Sequence, residues 1–246
     1  MESYNSFAEY YDELTEDARY PERCQYILNA AEKFGHTLGK TLDLACGTGS
    51  LTLLLAERGV DVFGADGSVD MLSEAMQKSL AADRHILFVH QQMQALELPE
   101  PVDTCVCTLD SLNHLTDKND VQAAFIGVSR YMNPGGLFIF DVNTVYKHKK
   151  VLADNVFVLE NERVFCVWQN FTEDNLTEIS LDFFEEQNGA YYRSSEDFSE
   201  RAYADGEIRE MLQGAGFETL GCYGDLTFEP PRADEQRVIY IARKQK

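Results

Sequence analysis

Asp66, Gly47 and Gly49 are the residues of this chain whose types and spacing bear most directly on chemistry. Asp66 lies 19 positions after Gly47, near the spacing at which an acid at the tip of a second strand accepts hydrogen bonds from both hydroxyls of a ribose. The two glycines end the run Leu42, Asp43, Leu44, Ala45, Cys46, Gly47, Thr48, Gly49, in which an apolar stretch meets a reversal of the chain. Glycine at such a reversal adopts positive φ and lets a ligand approach the main chain more closely than a Cβ would permit. A dinucleotide fingerprint requires a third glycine three residues after the second. Thr52 stands there instead, which argues against a pyrophosphate in this loop.

Three further polar residues stand out. Asp43 is an acid inside a strand expected to be buried, a costly placement unless it is paired or hydrogen-bonded. His114, at the mouth of a fourth strand, is the best-placed general base, the alternative being an ordinary histidine that packs a loop. Asp110 is either a polar contact to a ligand or, ahead of Ser111, a helix cap. The 6 cysteines lack the paired spacing of a zinc site. Cys105 and Cys107 share one face of a strand and read as small apolar packing, so no metal is expected.

The elements that must position these residues follow from hydrophobic period. Leu42 and Leu44 form a short apolar run suited to a parallel strand, and Leu51, Leu54 and Leu55 recur at helical spacing. A second strand is read over 60–65 and a helix over 69–80 with Ser68 as its N-cap. Strands follow over 86–90 and 102–109, then a helix over 120–131. Asn133, Pro134, Gly135 and Gly136 read as a turn into a fifth strand over 137–142. The C-terminal ends of such strands face the ligand crevice.

Leu42 to Gly49 together with Gly64, Ala65, Asp66, Gly67, Ser68, Val69, Asp70, Met71 and Leu72 resemble the class I S-adenosylmethionine-dependent methyltransferases, with motifs in order over roughly the first 145 residues. The resemblance implies a Rossmann-like, mostly parallel seven-stranded sheet with helices on both faces. It implies that the glycine loop, with Asp43, Ala45, Cys46, Gly47 and Gly49, holds the methionine end of S-adenosyl-L-methionine. Asp66, followed by Gly67 and Met71, would hold the ribose, and Gln91, Gln92 and Met93 would meet the adenine. Relatives commonly have Asp where this chain has Gln92, so an amide oxygen would replace a carboxylate in that contact. Leu109 and Asp110 would close the crevice beside His114. A Phe-x-x-x-Tyr-Asp segment, here Phe7 to Asp12, commonly folds over the cofactor in that family and brings Tyr11 near the sulfonium or the substrate. The alternative is that Tyr10 and Tyr11 pack a helix on the sheet. The Asn/Asp/Ser-Pro-Pro-aromatic signature of enzymes that methylate adenine, cytosine or glutamine nitrogens is absent after the fourth strand.

Beyond residue 145 the period changes. Alternation within 156–203 and the Asn188, Gly189 turn signal indicate a small antiparallel β cap inserted after strand five, above the crevice. Trp168, Phe171, Phe183, Phe184, Tyr191 and Tyr192 either line an apolar substrate pocket or form the inner face of the cap. The organisation expected is a helical lid over 1–35, a cofactor-binding core over 36–145, the cap over 146–203, and the closing strands of the core sheet over 204–246. A cytoplasmic location is expected, because no basic, apolar leader and no membrane-length apolar run is seen.

The reading reached is a methyltransferase with a small-molecule acceptor. A cofactor-holding module without catalysis and a nicotinamide-dependent oxidoreductase are the alternatives, and the assembly is a monomer or a homodimer. The formal net charge of −21 bears on the acceptor. Residues 1–20 carry six acids against Arg19, and residues 154–207 carry 14 acids against Arg163, Arg193 and Arg201. Lys147, His148, Lys149 and Lys150 form the one basic cluster near the crevice. A polyanion would meet a repulsive field, so the acceptor is expected to be neutral or cationic and nucleic acid is not expected to bind. Gel-shift titration at low salt should show no RNA or DNA binding; micromolar affinity that collapses as salt rises would reverse this reading.

Overall fold

Strands whose apolar residues point to both sides need cover on both faces, and the central strands here have it. β1 (Lys40–Leu44), β4 (Val102–Cys107) and β5 (Met132–Asn143) are buried over most of their length. The computed structural model, which describes residues 18–161 and 163–246, joins them in a seven-stranded sheet. The other members are β2 (Asp61–Asp66), β3 (Phe88–His90), β10 (Phe217–Gly224) and β11 (Arg237–Lys244). The order is β10, β11, β5, β4, β1, β2, β3, with β11 antiparallel to both its neighbours and the remaining pairs parallel. The strand order reverses between β1 and β4, so a crevice opens beyond their C-terminal ends.

Helices fill both faces. α1 (Tyr20–Lys33) and α2 (Ser50–Glu57) bury Cys24, Ile27, Ala30, Leu51 and Leu55 against Val106, Leu137, Ile139 and Ile241. After α3 (Val69–Ala81), whose N-terminus is capped by the Ser68 hydroxyl accepting from Met71 N–H, α4 (Lys118–Tyr131) and α5 (Asp205–Gly214) cover the other face. There Val121, Phe125, Ile208 and Leu212 meet Cys105, Cys107, Phe138, Phe140 and Tyr240. The two strand cysteines are thus free thiols packed as apolar groups.

The four strands β6 (Val156–Glu160), β7 (Val164–Glu173), β8 (Leu176–Gln187) and β9 (Ala190–Arg201) form a separate antiparallel sheet in sequence order. Asn188 and Gly189, both at positive φ, make the β8–β9 turn, as their dipeptide requires. The expected fold class, a Rossmann-like sheet with a β cap after strand five, is what the chain adopts.

Four expectations change. The third strand is three residues long, because at the sheet edge only 88–90 pair with β2, and Leu87 is exposed. The turn at 133–136 lies within the span of β5: Met132 pairs with Val102 and Leu137 with Thr104, so the intervening residues bulge between two paired positions. The described part of the expected helical lid, α1, belongs to the core, since its apolar face packs on the sheet. Of the cap aromatics, Phe183 and Trp168 join the cap's own core, whereas Phe171, Tyr191 and Tyr192 are exposed and lie outside that core.

Two buried carboxylates tie the layers together. In β5, Asp141 accepts from Arg23 Nη1 and Leu109 N–H through Oδ2, both at 2.9 Å. Through Oδ1 it accepts from Arg237 Nη1 at 2.6 Å and Asp110 N–H at 2.7 Å. In β1, Asp43 accepts from the Thr52 hydroxyl at 2.6 Å, so the threonine that breaks the dinucleotide fingerprint anchors α2 to the strand. Burial pushes the Asp43 carboxyl up to about 7, with the Thr52 bond opposing and the charge of Asp66 adding to the rise.

Asp141→Asn removes the charge facing two arginines and the acceptor oxygen of one of them, and should lower unfolding stability in urea by about 3–5 kcal/mol; a loss below about 1 kcal/mol would show the network to be incidental. For Asp43 the folded-state value lies above the unfolded one. The folded chain therefore holds a proton the unfolded chain has lost between about pH 4 and 7, and stability falls as pH rises through that window. Asp43→Asn should flatten that slope in urea titrations repeated across the window; an unchanged slope would refute the assignment.

Candidate active site

At the end of β1 the chain turns through Ala45 at φ 58° and Gly47 at φ 53° before entering α2. A Cβ built on Gly47 would meet no atom within 4 Å, so the main chain there faces open space. The Gly47 N–H donates to Asp66 Oδ2 and the Ser68 N–H to Oδ1, each at 2.8 Å. Each carboxylate oxygen therefore has one backbone donor and retains acceptor capacity for another. Burial pushes the Asp66 carboxyl up, against the N–H groups of Ser68, Gly47 and Gly67 and the nearby His90.

These groups form one end of a cavity of about 390 Å³. Ala45, Gly47, Asp66, Gly67, Met71, Gln92 and Met93 line that end. Leu109, Ser111, His114 and Thr116 line the mouth beyond β4, and Leu176, Phe198 and Ser199 close it from the cap. The size is that of a small-ligand site. One acceptor carboxylate beside an open glycine, flanked by the apolar side chains of Met71 and Met93, fits a nucleoside, with its ribose hydroxyls on the acid and its base against the two thioethers.

Several residues expected at the site serve it from behind. Asp43 is buried beneath the loop, bound to Thr52. Gly49 faces away, and a Cβ there would stand 2.9 Å from Ala75 Cβ, so its smallness admits α3 rather than a ligand. The Cys46 N–H donates to Ala65 O, and its sulfur lies against Gly64. Gln91 turns its side-chain oxygen to the Glu97 N–H at 3.1 Å, leaving Gln92 and Met93 on the wall. Tyr11 lies outside the described residues.

Asp110 stands at the N-cap position of the 3-10 turn Ser111–His114, where its carbonyl accepts from the Asn113 N–H at 2.7 Å, but its side chain makes no capping bond and does not line the cavity. It accepts from Arg237 Nη2 at 2.6 Å and from Asn143 Nδ2 at 2.7 Å. Against the cost of its burial, Arg237 and Lys147 hold its carboxyl well below the usual range. Leu109 and Asp110 both take left-handed backbone, at φ 58° and 55°, which sets Leu109, Ser111 and His114 at the mouth. The basic cluster over 147–150 is smaller than its sequence suggests. His148 is fully buried with Nδ1 2.8 Å from Thr177 Oγ1, and Lys147 donates to Asn143 Oδ1 at 3.0 Å, which leaves Lys149 and Lys150 exposed.

Sequence reading missed the cap's share. Phe198 stacks at a tilt on the His114 ring, centroids 5.1 Å apart, and Glu200 Oε1 lies 3.8 Å from His114 Nε2. Burial pushes the His114 imidazole down, with Asp110 opposing. Asn113 clamps the cap to the core: its Nδ2 donates to Arg201 O at 2.8 Å, and its Oδ1 accepts from the Asn143 N–H at 2.9 Å. The available signal was Phe198 itself, the one large apolar residue between 193 and 201.

Residues 41–136 match a family model described as a methyltransferase domain. The chain is 37% identical over 247 residues to the putative methyltransferase YqeM of Bacillus subtilis strain 168, covering 99% of this chain and 98% of that one. A glycine/sarcosine N-methyltransferase of Aphanothece halophytica is 24% identical over 97% of this chain and 88% of its own. The crystal structure of an S-adenosylmethionine-dependent methyltransferase from Clostridium acetobutylicum ATCC 824 superposes with a TM-score of 0.91 at 31% identity, covering 99% of both chains. Likeness that runs the full length of the chain, cap included, extends the family beyond the glycine loop, and the chain belongs to the class I S-adenosylmethionine-dependent methyltransferases.

Proposed function

We propose that this methyltransferase acts on a small, neutral or cationic acceptor seated in the cavity against the wall that His114 and Phe198 form together. The observation that carries the reading is one continuous cavity with Asp66 and Gly47 at one end and the cap residues Leu176, Phe198 and Ser199 at the other. S-adenosyl-L-methionine supplies an activated methyl on a sulfonium, so the protein's tasks are to align the acceptor and exclude water. Asp66 would accept from the ribose hydroxyls, Met71, Gln92 and Met93 would enclose the adenine, and Ala45 with Gly47 would offer main-chain groups to the methionine end. The cap narrows the mouth, which favours a small acceptor over a macromolecule. The glycine/sarcosine N-methyltransferase among the relatives is named for small amines, and that supports the same size class. The net charge of −21, with two exposed lysines left of the basic cluster, supports an acceptor without phosphate.

The test has two parts. Incubation with methyl-labelled S-adenosyl-L-methionine and a panel of small amines, alcohols, thiols and carboxylates, glycine and sarcosine included, should place label on a low-mass product. Label confined to protein or RNA would overturn the acceptor class. By calorimetry, Asp66→Ala should weaken binding of the cofactor and of S-adenosylhomocysteine by about 2–3 kcal/mol, the scale of a charge-assisted hydrogen-bond pair. Unaltered affinity would remove Asp66 from the site.

A further inference from the structure

Glu200 follows the cavity-wall residues Phe198 and Ser199 on β9, yet its carboxylate is 5% exposed. It sits between two imidazoles. Oε1 is 3.8 Å from His114 Nε2, and Oε2 is 3.6 Å from Nε2 of His148, which has no hydrogen-bond partner among the described residues. Oε2 also accepts from Asn143 Nδ2 at 3.2 Å. Thr177, which binds the other nitrogen of His148, is directly opposite Glu200 in the β8–β9 ladder.

As a purely structural group this carboxylate is a poor choice. A buried acid whose close hydrogen bond comes from an amide pays desolvation that a glutamine in its place would avoid. Its position is intelligible if a positive charge appears beside it during turnover. His114, on the cavity wall, is the group that would carry that charge.

We propose that Glu200 is the positioning carboxylate of His114, and that the two together take up the proton lost by an ammonium acceptor when its nitrogen is methylated. The N–H bond breaks and its electron pair becomes the nitrogen lone pair. That pair forms the new N–C bond as the C–S bond breaks toward sulfur, and the proton ends on the His114 imidazole. The pair starts as a Glu200 carboxylate beside a neutral imidazole and ends as the carboxylate against an imidazolium, so uptake of the proton takes its net charge from −1 to zero. An amine is the acceptor class this arrangement suits, since it must shed a proton before it can attack. The inference rests on the reading of His114 as facing the acceptor.

Burial pushes Glu200 up and Asp110 adds to the rise, while Lys147, the Asn143 bond and Arg237 oppose it. His148 flanks the far oxygen. Burial pushes His114 down. Burial thus disfavours the charged form of each group standing alone, and a proton delivered to the pair lets the two charges offset one another.

The test is histidine ¹³Cε1 NMR of the whole protein from pH 5 to 9, with His114 assigned from His114→Gln. No acceptor is needed. In the unaltered protein the His114 curve should depart from single-site form because Glu200 titrates with it. Glu200→Gln should lower the His114 midpoint by about one pH unit, the shift expected from losing a close opposite charge, and Glu200→Asp should restore part of it. S-adenosylhomocysteine affinity by calorimetry should stay the same in all three proteins, which separates this proposal from the cofactor assignment. A single-site curve with a midpoint indifferent to Glu200→Gln would overturn the pairing. In the labelled panel, amines should carry the methyl; label on thiols or carboxylates would overturn the acceptor class while leaving small-molecule methylation intact.

Discussion

Asp141 holds together the parts of this molecule that have to meet at the crevice. Its carboxylate is 1% exposed and receives four donors: two arginine side chains, from α1 and from the start of β11, and two backbone N–H groups from the turn after β4. A left-handed turn at two consecutive non-glycine residues is strained, by about 1–3 kcal/mol at each position. The surroundings must over-determine it. Asp141 does so by binding both of the strained N–H groups, and the arginines offset the cost of burying the acid that does the binding. Arg237 then reaches on to Asp110, so the turn is held through its main chain and its side chain at once.

That arrangement explains the division between residues that touch the cavity and residues that shape it. Asp43, Gly49, Cys46 and Asp110 all fall in the motif regions, and all of them sit behind the wall. Thr52 holds Asp43, Ala75 packs over Gly49, and Arg237 occupies Asp110. The residues on the wall are those with open space or unused acceptor capacity in front of them, chiefly Gly47 and Asp66. Motif membership alone does not separate the two roles.

What the sequence made legible follows the same line. The strand, glycine loop, helix and acid of the first half are local patterns, written in neighbouring residues with a fixed period, and they placed Gly47, Asp66, Met71, Gln92, Met93 and His114 on the wall. The cap was legible as a sheet, since Ile179, Leu181 and Phe183 alternate with polar residues. Its contribution to the site was not. Phe198 and Glu200 lie against His114, 84 and 86 positions away, and Asn143 and Arg237 meet their partners across the sheet, so nothing in their own neighbourhood marks them. The basic run over 147–150 misled for a related reason: in a π-helical turn His148 turns inward and Lys147 is drawn to Asn143, while Lys149 and Lys150 stay outside.

The partners of Asp141 come from near the two ends of the described chain, with Arg23 118 positions before it and Arg237 96 after. Every residue proposed to hold the cofactor emerges from the ribosome well before Arg237 does. A nascent chain that has finished β5 therefore carries the complete loop, acid and adenine segment while the buried Asp141 still lacks half of its cationic partners. Closing so long a loop is entropically slow to be repaid. The mouth of the crevice can take its final form only once the last strand, β11, has been synthesised and inserted between β5 and β10, which makes ligand competence a late event in the birth of this protein.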